Sequence, residues 1–168
     1  GPQSDEESIK ALHRAIDLGL NFIDTAQGYG DGHSEKIIGK VLKERSEEII
    51  VATKLPPKEF DWPARIDYDA RIAFPKEYII EECEKSLKRL QRDYLDIYQF
   101  HTWSTKFNSQ HEWFEAFEQL KKQGKIKASG ASVPDTTPHY VIGALVEGKV
   151  DSIQLIYNIF EQFPAWNT

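Results

Sequence analysis

The chain has 168 residues, of which 40% are hydrophobic and 12% aromatic, so it can bury the core of a single domain. Its formal charge of -6 disfavours a nucleic-acid partner, because proteins that bind a phosphate backbone usually present a basic face. No apolar run reaches the roughly 18 residues of a membrane-spanning helix, and no signal-peptide pattern opens the chain.

A single cysteine, Cys83, cannot form an internal disulfide, which fits a reducing compartment. We therefore expect a cytoplasmic protein in which Cys83 is a buried structural thiol. The chain contains no methionine and begins Gly-Pro-Gln, so we expect the natural protein to begin earlier. A Gly-Pro start is also typical of a protease scar.

Helices and strands alternate along the chain, and each predicted strand is a short apolar run between helical patterns. The first helix begins with a capping box, in which Ser4 is followed three residues later by Glu7, and it ends at Gly19. The predicted strands cover residues 20–26, 48–54, 94–101, 126–132 and 152–159. The remaining predicted helices cover residues 34–44, 75–91, 110–123 and 136–147.

This alternation is the signature of a parallel sheet that is covered on both faces. An open doubly wound sheet and a (β/α) barrel both satisfy it. The turn after the first strand lacks the G-x-G-x-x-G dinucleotide fingerprint, which favours the barrel. A closed barrel of this type has eight strands, and five cannot close. We therefore predict one domain over residues 1–168 that forms a partial (β/α) barrel.

Four side chains that can hold or move a proton fall at or just past the C-terminal ends of predicted strands: Asp24, Tyr29, Lys54 and His101. In a (β/α) barrel these strand ends form the rim where catalysis takes place. Residues 55–74 form a long connection that leaves the rim after Lys54, and such long loops are usually functional or mobile. The pattern predicts an active site. Taken singly, each residue also has a structural explanation, as a turn cap, a loop aromatic, a solvated strand end or a satisfied histidine.

These residue types suit the reduction of a carbonyl group, in which negative charge develops on the oxygen and a proton donor must be aimed at it. A free tyrosine has a pKa of about 10, and an ammonium beside Tyr29 would lower that pKa. Lys54 is placed for this role, and Asp24 would keep it charged and oriented. His101 could donate a hydrogen bond to the carbonyl oxygen.

Several motifs resemble those of the aldo-keto reductases, in the family's order and over essentially the whole chain. They are Asp24-Thr25-Ala26-Gln27-Gly28-Tyr29-Gly30, Ser34-Glu35 with Gly39, Ala52-Thr53-Lys54, Tyr94-Leu95-Asp96 with His101, Gly124-Lys125-Ile126, and the residues from Gln154 to Asn158. The resemblance implies a (β/α)8 TIM barrel that binds NADP(H). It also implies that Asp24, Tyr29, Lys54 and His101 form the catalytic tetrad.

By the same resemblance, the chain covers the family's barrel from about the first helix through the sixth strand. The family's first, seventh and eighth strands have no counterpart in these residues, nor do the late loops that hold the adenosine phosphate.

The resemblance also assigns cofactor contacts. In the family, a Ser-Asn pair after the fifth strand and a Gln on the sixth hold the nicotinamide carboxamide, and Ser132 and Gln154 match two of these positions. Val133 stands where the asparagine is usual. Asp24 and Tyr157 complete the predicted cofactor set. The alternative for Gln154 is an amide that bonds to neighbouring backbone.

Aromatic residues in loops that leave the rim are candidates to shape an apolar substrate pocket, with packing as the alternative: Trp62, Tyr68, Phe74 and Trp103. Trp103, two residues past His101, is the substrate residue that we predict. The five histidines are dispersed, so no metal site is predicted.

The sequence therefore predicts an NADP-dependent oxidoreductase that reduces a small-molecule aldehyde or ketone to an alcohol. Two alternatives remain open. One is a non-catalytic or regulatory NADP-binding barrel protein, and the other is a lyase that forms a Schiff base on Lys54. The sequence specifies neither the carbonyl substrate nor the oligomeric state.

Overall fold

The structure, a computed structural model, describes residues 4–59, 68–134 and 137–162. Its strands are β1 (Phe22–Asp24), β2 (Ile50–Leu55), β3 (Leu95–Phe100), β4 (Ile126–Ser132) and β5 (Ser152–Gln154). Its α-helices are α1 (Asp5–Asp17), α2 (His33–Lys43), α3 (Ala70–Ala73), α4 (Lys76–Leu90), α5 (Glu112–Lys122) and α6 (Ile142–Val146). Two 3-10 helices cover Thr105–Ser109 and Pro138–Val141. Within these ranges, no helix is both long and apolar enough to span a membrane.

The five strands form one parallel sheet in the order β1-β2-β3-β4-β5. Strands in chain order with a helical crossover between each pair are the arrangement of a (β/α) barrel, whereas a doubly wound sheet reverses its strand order. The amide of Gln154 on β5 donates a hydrogen bond of 3.2 Å to Asp24 on β1. The sheet therefore curls until its first and last strands approach each other, as the predicted partial barrel requires.

The core lies between the outer face of this curled sheet and the helices. Helix α4 places Ile79, Cys83, Leu87 and Leu90 on its buried face. Cys83 is fully buried, as predicted for a structural thiol, and this burial raises its pKa to about 12. An aromatic cluster packs beside β3, and its members are Phe74, Phe100, Trp103, Phe107, Trp113 and Phe117.

Several elements are shorter than predicted. Strand β5 ends at Gln154 because that residue already pairs with Ser132, where the partner strand β4 ends. Beyond it, Ile159 and Phe160 are 79% and 92% exposed. The last predicted helix is divided into a 3-10 turn, which begins at Pro138, and the short helix α6. Helix α3 occupies part of the long connection, whose residues 60–67 lie outside the described ranges.

Candidate active site

The parallel register brings the ends of β1, β2 and β3 to one rim. Gln27 N donates to the carbonyl oxygen of Lys54 over 3.0 Å, and His101 N donates to that of Leu55 over 2.8 Å. Asp24 ends β1, so these backbone bonds align its side chain with those of Lys54 and His101. The structure thus brings together residues that are 30 or more positions apart in the chain.

Lys54 is 1% exposed, and its side chain forms an ion pair with Asp24. Its Nζ donates to Asp24 Oδ2 over 2.6 Å and to the carbonyl oxygen of Thr25 over 2.9 Å. A buried charge is costly unless it is paired and hydrogen-bonded. Asp24 and Thr25 meet both needs, so they fix the position of Nζ.

The phenol ring of Tyr29 lies near two other members of the predicted tetrad. Its centroid is 5.6 Å from that of the His101 ring, in an edge-on arrangement at 76°. Lys54 Nζ lies 5.5 Å from the same phenol ring. Tyr29 is 46% exposed, so a phenol, an imidazole and an ammonium border one accessible point.

The loop that carries Tyr29 depends on a left-handed turn. Gly30, Asp31 and Gly32 have φ angles of 64°, 51° and 77°, a region that glycine adopts without cost and that aspartate tolerates. The turn leads directly into α2, where the backbone N–H of Ser34 donates to the carbonyl oxygen of Tyr29 over 3.2 Å. The Gly-Asp-Gly sequence therefore lets the chain reverse so that the phenol lies over the rim.

The surroundings at the rim shift the pKa of two members of the predicted tetrad. The pKa of His101 is lowered from 6.5 to about 4, first by burial and then by the charge of Lys54, while Asp24 opposes the change. The imidazole is therefore neutral at pH 7, and one ring nitrogen retains a proton to donate.

The pKa of Tyr29 moves in the opposite direction from the prediction. It is raised above 10.0, first by partial burial and then by the negative charge of Asp24. The predicted lowering by Lys54 is wrong, because partial burial disfavours the charged phenolate and the carboxylate of Asp24 repels it. Tyr29 therefore keeps its proton across the physiological pH range.

Two of the four predicted cofactor residues end the strands β4 and β5. Ser132 and Gln154 are paired in register, and Gln154 Nε2 bonds to Asp24. Gln154 Oε1 is buried and finds no hydrogen-bond donor among the described residues. A carboxamide N–H is the kind of donor that this oxygen lacks, so the residues present fit a nicotinamide group. A cavity of about 340 Å³ on the concave face of the sheet is lined by both Asp24 and Gln154.

Val133 and Tyr157, which lie just beyond β4 and β5, differ in exposure. Val133 is buried at 7% exposure, and its backbone N–H donates to the carbonyl oxygen of Gln154 over 2.9 Å. An apolar side chain therefore packs where the family usually has an amide. Tyr157 lies three residues beyond β5 and is 59% exposed, so its ring is accessible to a ligand.

The predicted substrate residue Trp103 belongs to the core. It is 1% exposed, its ring packs against Phe107 and Trp113, and its indole N–H donates to the carbonyl oxygen of Tyr140 over 3.1 Å. A side chain buried in this way does not line a substrate pocket, so the structural alternative applies. Phe74 is also fully buried, and Trp62 lies outside the described residues.

Sequence reasoning missed a polar cluster on the outer face of the sheet, behind the predicted tetrad. Glu35 is 0% exposed, and it accepts hydrogen bonds from Thr53 Oγ1 over 2.6 Å and from Arg89 Nε over 2.5 Å. The sequence did contain a signal. Glu35 precedes Ile38 by three residues and Leu42 by seven, which places a carboxylate on the apolar face of α2.

Fold and site together define a partial (β/α)8 barrel with a polar cluster at its C-terminal rim. The chain belongs to the Aldo/keto reductase family, whose model matches residues 1–166. It is 37% identical to aldo-keto reductase YhdN from Bacillus subtilis, over 96% of this chain and 47% of that protein. The chain spans about half the length of the curated relatives it matches.

Solved structures agree with this assignment. The holo form of aldo-keto reductase AKR11C1 from Bacillus halodurans matches with a TM-score of 0.76 and 33% identity, over 93% of this chain and 50% of that one. An aldo/keto reductase from Klebsiella pneumoniae in complex with NADP and acetate matches with a TM-score of 0.70 and 29% identity, over 91% and 49% of the two chains.

Proposed function

We propose that this protein reduces an aldehyde or ketone to an alcohol with NADP(H) as its cofactor. The observation that carries the proposal is the contact of Tyr29 with both His101 and Lys54 at an accessible point on the rim. Family membership and the NADP complex of the relative from Klebsiella pneumoniae support the choice of cofactor. When bound, NADPH supplies the hydride.

Each tetrad member has a role that follows from its surroundings. Tyr29 donates its phenolic proton to the carbonyl oxygen, and its accessibility allows solvent to restore that proton. Neutral His101 donates a hydrogen bond that orients the carbonyl. Lys54, held by Asp24, lies 5.5 Å from the phenol ring and orients it at the rim. A hydrogen-bond donor positioned at the carbonyl oxygen, as proposed for His101, typically stabilises the transition state by roughly 3–4 kcal/mol.

The cofactor would be held by Asp24, Ser132, Gln154 and Tyr157. Oε1 of Gln154, which has no hydrogen-bond donor among the described residues, would accept from a carboxamide N–H. The exposed ring of Tyr157 offers a face on which a ring of the cofactor could stack. The register that pairs Ser132 with Gln154 lets both side chains reach the same group.

The Schiff-base alternative is disfavoured by the contacts of Lys54. A nucleophilic amine needs a free lone pair that can reach the carbonyl carbon, whereas Nζ is buried and donates to a carboxylate and a carbonyl oxygen. Nothing in the described residues specifically favours a non-catalytic barrel.

We also propose a cytoplasmic location. Cys83 is a free thiol buried in α4, as is usual in reducing compartments. Fractionation of the native cells with a specific antibody tests this proposal, and recovery with an extracytoplasmic fraction would contradict it.

The experiment that tests the function is the substitution Tyr29→Phe. We expect kcat for a reactive aldehyde with NADPH to fall by about 100- to 10,000-fold, because only the transferable proton is removed. The affinity for NADP, measured by calorimetry, should change little. Tyr94→Phe is the matched control, since Tyr94 precedes β3 at the opposite end of the sheet. Turnover of Tyr29→Phe within a few fold of the parent protein rejects Tyr29 as the proton donor.

A further inference from the structure

We propose that Ser34 and Glu35, at the start of α2, position the catalytic tetrad from the outer face of the sheet. Ser34 Oγ shares a hydrogen bond of 2.8 Å with Thr25 Oγ1, and Ser34 N donates to the carbonyl oxygen of Tyr29. Glu35 accepts from Thr53 over 2.6 Å. Two adjacent residues thus reach the end of β1, strand β2 and the loop of Tyr29, which supply three of the four tetrad members. The proposal rests on the proposed carbonyl reduction, because it assigns a role in that reaction.

The geometry of a strand explains how the effect reaches the tetrad. Successive side chains point to opposite faces, so Thr53 points to α2 while Lys54 points to the concave face. Because the two residues share a peptide bond, a displacement of Thr53 displaces Lys54. Thr25 is linked in the same way to Asp24, and its own carbonyl oxygen accepts from Lys54 Nζ over 2.9 Å.

The charge of Glu35 is held by a specific partner. Arg89 on α4 donates to Glu35 Oε2, and it also donates to Ser86 Oγ over 3.1 Å. The glycine at position 32 leaves room for this arginine, since a Cβ there would lie 2.5 Å from Arg89 Cδ. The two carboxylate oxygens therefore have separate tasks. Oε2 accepts from Arg89 on α4, and Oε1 accepts from Thr53 on β2.

A buried ion pair is weak evidence of a role in stability, because an apolar pair of the same size is often as stable. Here the second carboxylate oxygen of Glu35 holds Thr53, the residue next to Lys54. The pair with Arg89 therefore serves to orient Lys54. Hydride and proton transfer are sensitive to such orientation, and a displacement of about 1 Å can cost about 100-fold in rate.

The substitution Thr53→Val tests the link, since it replaces the hydroxyl with a methyl group of similar size and leaves Glu35 and Arg89 unchanged. We expect kcat to fall by about 10- to 100-fold while KM for the carbonyl stays within about two-fold. Thr53→Ser, which restores the hydroxyl, should recover most of the rate.

Ser129→Ala is the matched control. Ser129 lies two strands away at the level of Thr53, because each of these residues pairs with Tyr98, and its hydroxyl donates to Asp151 over 2.9 Å. The control therefore removes a similar bond to a carboxylate without touching α2. Its kcat should stay near that of the parent protein.

A second readout does not require activity. The Lys54 ammonium, held at two sites, should give a protected signal in nitrogen-15 spectra, identified by its loss in Lys54→Ala. We expect Thr53→Val to weaken this signal and Thr53→Ser to keep it. An inactive parent protein with this response rejects the proposed reduction but supports positioning. An active parent protein whose Thr53→Val variant keeps both kcat and the signal overturns the positioning proposal alone.

Discussion

At the scale of single residues, His101 shows how the rim determines a protonation state. Burial and the nearby ammonium of Lys54 both disfavour the imidazolium, and the negative charge of Asp24 only partly offsets them. Asp24 accepts a hydrogen bond from Lys54 Nζ. The ammonium therefore balances part of the negative charge that would otherwise favour a protonated imidazole. The ring is therefore neutral at pH 7, as its role in the proposed reduction requires.

This protonation state can be measured. We expect the ring signals of His101 to titrate with a midpoint near pH 4, well below the ordinary value of 6.5. Nuclear magnetic resonance of the protein, with His101→Gln to identify the signals, provides the measurement. A midpoint at or above 6.5 would show that the imidazole is not shielded as the structure indicates.

The lowered pKa of His101 also predicts that the stability of the folded protein depends on pH. The unfolded chain binds a proton to His101 below about pH 6.5 and the folded chain only below about pH 4, so protonation favours unfolding in that interval. On lowering the pH from 7 to 4, the parent protein should lose about 1–3 kcal/mol more unfolding free energy than His101→Gln, with an allowance for partial exposure. Urea denaturation at both pH values gives this difference. Equal losses in the two proteins would contradict the prediction.

At the scale of elements, the position of α2 depends on a close approach to α4. A Cβ added at Gly39 would lie 2.5 Å from the carbonyl oxygen of Arg89 and 2.9 Å from the carbonyl carbon of Leu90, both of which are backbone atoms. Backbone cannot rotate away as a side chain can. The absence of a side chain at Gly39 therefore lets α2 lie close enough for Glu35 to reach Arg89.

We therefore expect Gly39→Ala to destabilise the protein by about 1–3 kcal/mol, as overpacked core positions do. Thermal or urea denaturation measures the effect. Gly143→Ala on α6 is the matched control, because its nearest atoms, on the side chain of Asn108, lie 3.5 Å away. The control should be neutral or slightly stabilising, since alanine favours a helix. Similar losses for the two variants would argue against a tight contact between α2 and α4.

At the scale of the whole molecule, the sheet has two open edges. Within the described ranges, β1 pairs only with β2, and β5 pairs only with β4. Apolar side chains are exposed beside these edges, including Phe22 at 45% and, past β5, Phe160 at 92%. Unpaired strand edges beside apolar surface favour association between chains.

The 168-residue chain, expressed by itself, should therefore self-associate at micromolar concentration. Light scattering after size exclusion measures its mass against the 19.4 kDa of one chain. The double substitution of Ile159→Lys and Phe160→Lys should reduce the association. Val146→Lys, which changes an exposed residue at the end of α6, should not. A monomeric parent chain would show that the edges are protected.

The sequence by itself determined the parts of this protein that depend on local pattern. The period of apolar residues predicted the alternating helices and strands, and therefore a parallel sheet. The positions of Asp24, Lys54 and His101 at strand ends then placed them on one rim, because parallel strands end together. These predictions needed no knowledge of which residues touch across the fold.

Only the tertiary structure decided which neighbours each side chain meets. Trp103 is in the core because α5 packs over the end of β3, and Asp24 contacts Gln154, 130 residues away, because the sheet curls. The raised pKa of Tyr29 and the burial of Glu35 likewise depend on distances between elements. Burial and charge interactions change over a few ångströms, whereas sequence periodicity fixes only the face on which a residue lies.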